Sequence, residues 1–231
     1  LADVAQVGLS AVALDIFIVC STIGLGLLVG KWLNMDKETT LLTSSGSAIC
    51  GAAAVLGAEA TLKSEAYKTA VAVSTVVLFG TLSMFLYPVL YRNGFFPLSL
   101  HEMGLYTGST VHEVAHVVGA SNAMGKEVAE VAVIVKMIRV ILLVPVLLVF
   151  SWSARSRSES VAPDQRRLVV PWFALLFLLA IALNTLLSLS PAVIEPIKTV
   201  DNFALTMAMT ALGCETTIDK FRQAGWRPFV L

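Results

Sequence analysis

The stretch "TGSTVHEVAHVVGA", residues 107–120, decides how the chain is read. It carries His112, Glu113 and His116 in the H-E-x-x-H spacing of zinc metalloproteases. On one continuous helix the two imidazoles would lie a turn apart on one face, with the carboxylate beside them as a general base. Whether the string is a metal site depends on the solvent around it.

That solvent is a bilayer. Of the 231 residues, 57% are hydrophobic and 14% charged, and the mean hydropathy is +0.82, whereas soluble domains carry about 25% charged residues. The 16 basic and 16 acidic side chains cancel. No basic stripe with interleaved aromatics appears, so nucleic acid is not an expected partner. Cys20, Cys50 and Cys214 are odd in number, lack C-x-x-C spacing and sit in apolar surroundings, which predicts small buried residues without a disulfide framework. The chain opens at Leu1 and closes on "WRPFVL", where a new apolar segment starts, and reads as one transmembrane domain over 1–231 within a longer polytopic protein.

A spanning helix needs about 20 apolar residues. Five stretches meet or approach that, at roughly 8–30, 67–91, 128–152, 169–189 and 197–214. Segments 41–58 and 105–120 are too short, too polar or too rich in Gly, Ser and Thr for ordinary spans, which predicts broken or re-entrant helices. The loop 153–168 holds Arg155, Arg157, Arg166 and Arg167 against Glu159 and Asp164, so the positive-inside rule places it in the cytoplasm. Lys220, Arg222 and Arg227 put the C-terminal end on the same side, and counting back puts the loop near Lys31 and Lys37 there too.

An internal repeat is visible at an offset of 62 residues. "SGSAICGAAAVLGA" (45–58) overlays residues 107–120, with Gly46 on Gly108, Ser47 on Ser109, Ala53 on Ala115, Val55 on Val117 and Gly57 on Gly119. A Glu (Glu65, Glu127) and a long apolar helix follow each copy, giving repeat units 45–91 and 107–152. Small residues also recur in membrane helices simply because they permit close packing.

Backbone N–H groups cannot be left bare in hydrocarbon, so a helix start at membrane depth must face protein, water or a ligand. "TSSGS" (43–47) and "TGST" (107–110) read as such starts, with Ser and Thr as caps and free N–H groups attracting an anion. Ser45, Gly46, Ser47, Gly51, Gly108, Ser109 and Thr110 are therefore candidate substrate-binding residues; tight packing of two Gly- and Ser-lined helices is the alternative. Ionisable groups within spans cost about 2.5 to 3.5 kcal/mol each on insertion scales and tend to be functional. Lys136 and Arg139, three apart on one helix, form a candidate cationic wall for the anion. Asp15, Asp201, His112 and Glu113 are candidates for proton coupling. The competing expectation is that these charges pair in buried salt bridges.

A zinc site would need a third ligand, and only His101, in a loop across an expected helix break, is at hand. Cys50, Gly51 and Ala54 occupy the registers of His112, Glu113 and His116, so the element recurs without the ligands. No metal, no cofactor and no enzyme activity is expected; without a P-loop, primary ATP-driven transport has no support in these residues, and no G-x-S-x-G elbow is present.

The strings "SGSAICGAAAVLGAEA", "FGTLSMFLYPVLY", "GSTVHEVAHVVGA", "KMIRVILLVP" and "PWFALLF…DNFALTMAMTALG" together resemble the YeiH-type family of bacterial inner-membrane proteins, labelled sulfate exporters, along nearly the whole chain. The resemblance is weakest at His116, where relatives can carry Gln. It implies about ten spans, more than this chain holds, and a fold similar to inverted-repeat secondary carriers with broken helices. Combined with the residues, it yields an all-α transmembrane bundle that exports a small inorganic or organic anion such as sulfate or a sulfonate, proton-coupled, in the inner membrane and compatible with a homo-oligomer. An intramembrane zinc protease and a non-transporting scaffold are the alternatives.

Overall fold

The computed structural model describes residues 9–155, 176, 179–180, 182–183, 191–215 and 227–231. Most of the loop 153–168, most of the expected span 169–189, Lys220 and Arg222, and the side chain of Asp201 lie outside the described residues.

Helix follows helix, with no strand among the described residues. Helix α1 (Leu9–Trp32) is followed by α2 (Lys37–Ala48), α3 (Ala52–Leu62) and α4 (Ala66–Arg92). Then come α5 (Leu100–Thr110), α6 (Val114–Met124), α7 (Lys126–Ile141) and α8 (Leu143–Arg155), with α9 (Pro191–Glu215) and a short α10 (Arg227–Val230) beyond. Three stretches are long and apolar enough to cross a membrane: Val12–Trp32, Ala66–Arg92 and Lys126–Trp152, the last running through α7 and α8. They coincide with three of the expected spans. Phe17, Leu28, Phe85 and Val149 stand exposed on them, as side chains facing lipid do.

The two polar segments fold as broken helices. Residues 37–62 form halves of 12 and 11 residues, α2 and α3. Residues 100–124 form two halves of 11, α5 and α6. At 1.5 Å per residue each pair reaches about 33 Å. Local chemistry fixes their outer ends. Asp36 caps α2 by accepting from the Thr39 amide at 3.0 Å, and Ser99 with Glu102 forms a reciprocal capping box at the start of α5. A single residue, Gly125 at φ +139°, ends α6 and begins α7.

Close approach of helices rests on small residues. Gly26 and Gly30 face α2: a Cβ on Gly26 would come within 2.9 Å of the Ser44 Cβ, and one on Gly30 within 2.5 Å of the Thr40 Oγ1. On the other half of the bundle, a Cβ on Gly108 would lie 2.9 Å from the Val135 Cβ, so α5 lies directly against α7. A core of Leu42, Ile49, Val55, Ala58, Val76 and Leu147 fills the space between α2, α3, α4 and α8. At its edge Lys68, 8% exposed, ties the start of α4 to the start of α2 through Glu38 (2.8 Å) and Asp36 (3.3 Å).

Candidate functional site

The interruptions of the two broken helices meet at one buried point. After Ala48 the chain turns through Ile49 and Cys50 to Gly51, whose φ of +68° suits glycine. After Thr110 it runs extended through Val111 (φ −71°, ψ 134°) and Glu113 (φ −107°, ψ 151°), conformations that any residue adopts. Each break frees carbonyls at one helix end and N–H groups at the next helix start, and at this depth water cannot satisfy them.

Two charged side chains do so instead. Lys136, fully buried on α7, donates from Nζ to the Ile49 carbonyl at 2.6 Å and to the Val111 carbonyl at 2.8 Å. One ammonium thereby caps the C-terminal ends of α2 and α5 together, where both helix dipoles are negative. Glu113 reaches the other way, and its Oε1 accepts from the Ala52 amide at 3.1 Å, at the positive N-terminal end of α3. Gly51 and Glu113 share a register in the 62-residue offset and stand against each other here. A Cβ on Gly51 would lie 2.9 Å from the Glu113 Oε1, so only one of the two positions has room for a side chain.

Beside this centre, the Arg139 Nε and Nη2 both donate to the Asp15 Oδ1, at 2.9 and 2.5 Å, with both residues fully buried. His116 is fully buried too. Its Nδ1 stands 3.7 Å from the Glu113 Oε2, its Nε2 is 3.2 Å from the Thr81 hydroxyl, and Gly80 gives the ring its space. Among the described residues the Thr107 Oγ1, His112 Nδ1, His116 Nδ1 and Asp15 Oδ2 are buried without a hydrogen-bond partner, as are the hydroxyls of Thr43, Ser44, Ser64 and Thr69.

Several expectations from the sequence are corrected. The strings 43–47 and 107–110 lie in the last turns of α2 and α5, not at helix starts. The Ser45 hydroxyl donates to the Leu42 carbonyl, and Ser109 and Thr110 both donate to Tyr106, the back-bonding of Ser and Thr inside a helix rather than capping. Gly46 and Gly108 are closed in by packing: a Cβ on Gly46 would be 2.6 Å from Val55. Ser47 is half-buried in the final turn of α2. His112 and His116 do not share a helix face, because α6 begins at Val114 and His112 lies in the break. Among the described residues no three His, Cys, Asp or Glu side chains converge as metal ligands. Lys136 and Arg139 do not form an open cationic wall, since each is spoken for by a buried partner. Asp15 is that partner for Arg139, as the salt-bridge alternative expected. Sequence reasoning missed Thr81, Gly80 and the capping role of Lys136; the Gly51/Glu113 register was the available signal for the contact between the two breaks.

Helices long enough to cross a bilayer, two interrupted helices and a buried charged centre define a polytopic α-helical membrane protein. A family model described as "Conserved hypothetical protein 698" matches residues 1–231. The chain is 57% identical over 232 residues to a UPF0324 membrane protein of Bacteroides thetaiotaomicron, covering 99% of this chain and 69% of that one. It is 50% identical over 229 residues to one of Pseudomonas putida (98% and 65%), and 49% identical over 232 residues to one of Bordetella bronchiseptica (99% and 72%). The chain belongs to this UPF0324 membrane protein family, in agreement with the YeiH-type resemblance of its motifs. It spans about two thirds of the length of these relatives. No solved structure matches it.

Proposed function

We propose that the protein is a secondary carrier for a small oxyanion, sulfate or an organosulfonate, and that the crossing of the two broken helices is its binding centre. The observation that supports this most is the convergence of both helix breaks on the buried side chains of Lys136 and Glu113. Interrupted helices of this kind at mid-membrane are a transporter device, and irregular backbone at such depth is otherwise costly.

The geometry suggests how substrate and proton are linked. Glu113 holds the N-terminal end of α3 with its carboxylate, so an anion approaching those N–H groups competes with it. Protonation of Glu113 removes the competing charge, and the proton and anion load together. The start of α6 has no side-chain cap, and the amides of Val114 and Ala115 there are the second set of donors, with His112 and His116 alongside to hand on the proton. Gly51 keeps the room that Glu113 uses. Lys136 supplies a cation beside the anion, and Arg139 with Asp15 holds α7 in place; Ser45, Ser47, Ser109 and Thr110 shape the walls rather than donate. A dianion such as sulfate loaded with one proton keeps a net negative charge, which an inside-negative potential drives outward.

The test is flux of labelled sulfate and sulfonates into proteoliposomes of the full-length protein with an imposed pH gradient. We expect saturable, pH-gradient-dependent uptake that Glu113→Gln uncouples from the gradient and that Lys136→Met reduces at least tenfold. If no anion moves and neither substitution changes anion binding, the carrier proposal is wrong and a scaffold role stands in its place. A zinc protease is the less favoured reading, because His112 precedes the start of α6 and the two imidazoles are not on one helix; stoichiometric zinc in the purified protein would favour it instead.

A further inference from the structure

A second site lies away from the helix crossing, where α1 ends. A cavity of about 520 Å³ opens between α1 and the start of α2. It is a groove open to the lipid-facing side, lined by Gly24, Leu27, the exposed Leu28 and Met35, with Thr40, Lys31 and Lys37 completing the lining. Gly24 leaves the groove open along α1: a Cβ there would meet nothing within 4 Å. The cavity is therefore apolar along the membrane-facing helix and cationic at its end.

The charges of the two lysines are free. Two acidic residues flank Lys37 in the chain, but both turn away. Asp36 caps α2 through the Thr39 amide and lies 3.3 Å from the Lys68 Nζ, and Glu38 lies 2.8 Å from the same nitrogen. Lys68 thus gathers the local negative charge on the α4 side and leaves Lys31 and Lys37, both exposed, without an ion-pair partner among the described residues. Trp32, 81% exposed, stands next to Lys31 at the end of the apolar span, which is where aromatic side chains mark the level of lipid headgroups.

We propose that this cavity binds an anionic phospholipid, with the phosphate between Lys31 and Lys37 and an acyl chain along Gly24, Leu27 and Leu28. A zwitterionic lipid offers the chain without the net charge, and free phosphate offers the charge without the chain. The site uses both.

The experiment titrates delipidated full-length protein in neutral detergent with dioleoylphosphatidylglycerol, dioleoylphosphatidylcholine or inorganic phosphate, and reads the melting temperature. Phosphatidylglycerol is expected to raise it saturably, with little response to the other two. Lys31→Ala/Lys37→Ala should need about thirtyfold more phosphatidylglycerol for the same shift. Gly24→Leu should blunt the response while leaving the unliganded melt unchanged, because a Cβ at this position meets no atom within 4 Å. Equal responses to the two lipids overturn the proposal, as do variants that titrate like wild type. A response to phosphate as large as that to the anionic lipid assigns the site to a free anion and overturns it too. Failure here leaves the carrier reading untouched, because none of these residues belongs to the helix crossing.

Discussion

At the scale of single residues, the pairing of Gly51 with Glu113 is the most constraining feature. Two costs fall on any larger side chain at 51. The φ of +68° strains an L residue, and the new Cβ intrudes on the Glu113 carboxylate. Gly51→Ala should therefore destabilise the protein by about 1 to 3 kcal/mol, read as a lower melting temperature in detergent. Adding Glu113→Ala removes the collision but not the strain, so the double variant should lose less than the two single losses combined. Strict additivity would mean that the two residues do not touch. The same pairing explains why the repeat is imperfect where it matters. An offset of 62 aligns Gly51 with Glu113, and the structure gives the space at their meeting point to one side chain alone.

At the scale of elements, the outer end of α2 is set by Asp36. Burial raises its carboxyl, but the Thr39 amide, the Lys68 ammonium and the Thr39 hydroxyl together outweigh that and hold it below its ordinary value of 3.8. A carboxyl that binds its proton less readily folded than unfolded stabilises the fold above the unfolded value, and that contribution fades as pH falls below about 3.8. Asp36→Ala should cost about 1 kcal/mol near neutrality, the usual worth of an N-cap. The gap in melting temperature between variant and wild type should be constant above about pH 5 and narrow on acidification below 3.8; a gap that stays constant down to pH 3 would show that the carboxylate is not the cap. What was legible in the sequence at this scale was the existence of two interrupted helices, through their length and their Gly, Ser and Thr content. Their polarity was read the wrong way round. "TSSGS" and "TGST" suit a helix N-terminus by composition, yet Ser and Thr can equally bond back to a carbonyl three or four residues earlier, and only the tertiary fold decides between these. The α1–α2 contact through Gly26 and Gly30 has its own sequence signature, the G-x-x-x-G spacing of closely packed membrane helices.

At the scale of the whole molecule, α1 is joined to the centre by one ion pair. Arg139 and Asp15 are 124 positions apart and both fully buried. Removing one partner strands a charge in a dry interior, so Arg139→Met or Asp15→Leu alone should cost about 3 to 5 kcal/mol, whereas the double replacement should recover most of that loss. Thermal unfolding of the three variants checks it; a double variant as unstable as either single one would show that the pair is needed for more than mutual neutralisation. The sequence singled out Asp15, Lys136 and Arg139 as costly and therefore meaningful, but it could not say which charge each would meet, because those partners are brought in by helix packing. Lys136 shows how far that matters. Its ammonium holds the Ile49 and Val111 carbonyls at once, and neither helix can slide or rotate against the other at this level unless one hydrogen bond is given up without water to replace it. Lys136 is therefore the rivet of the crossing: Lys136→Met would leave both carbonyls bare at once and loosen the two breaks from each other, while the contacts that each broken helix makes with its own neighbours would stay in place.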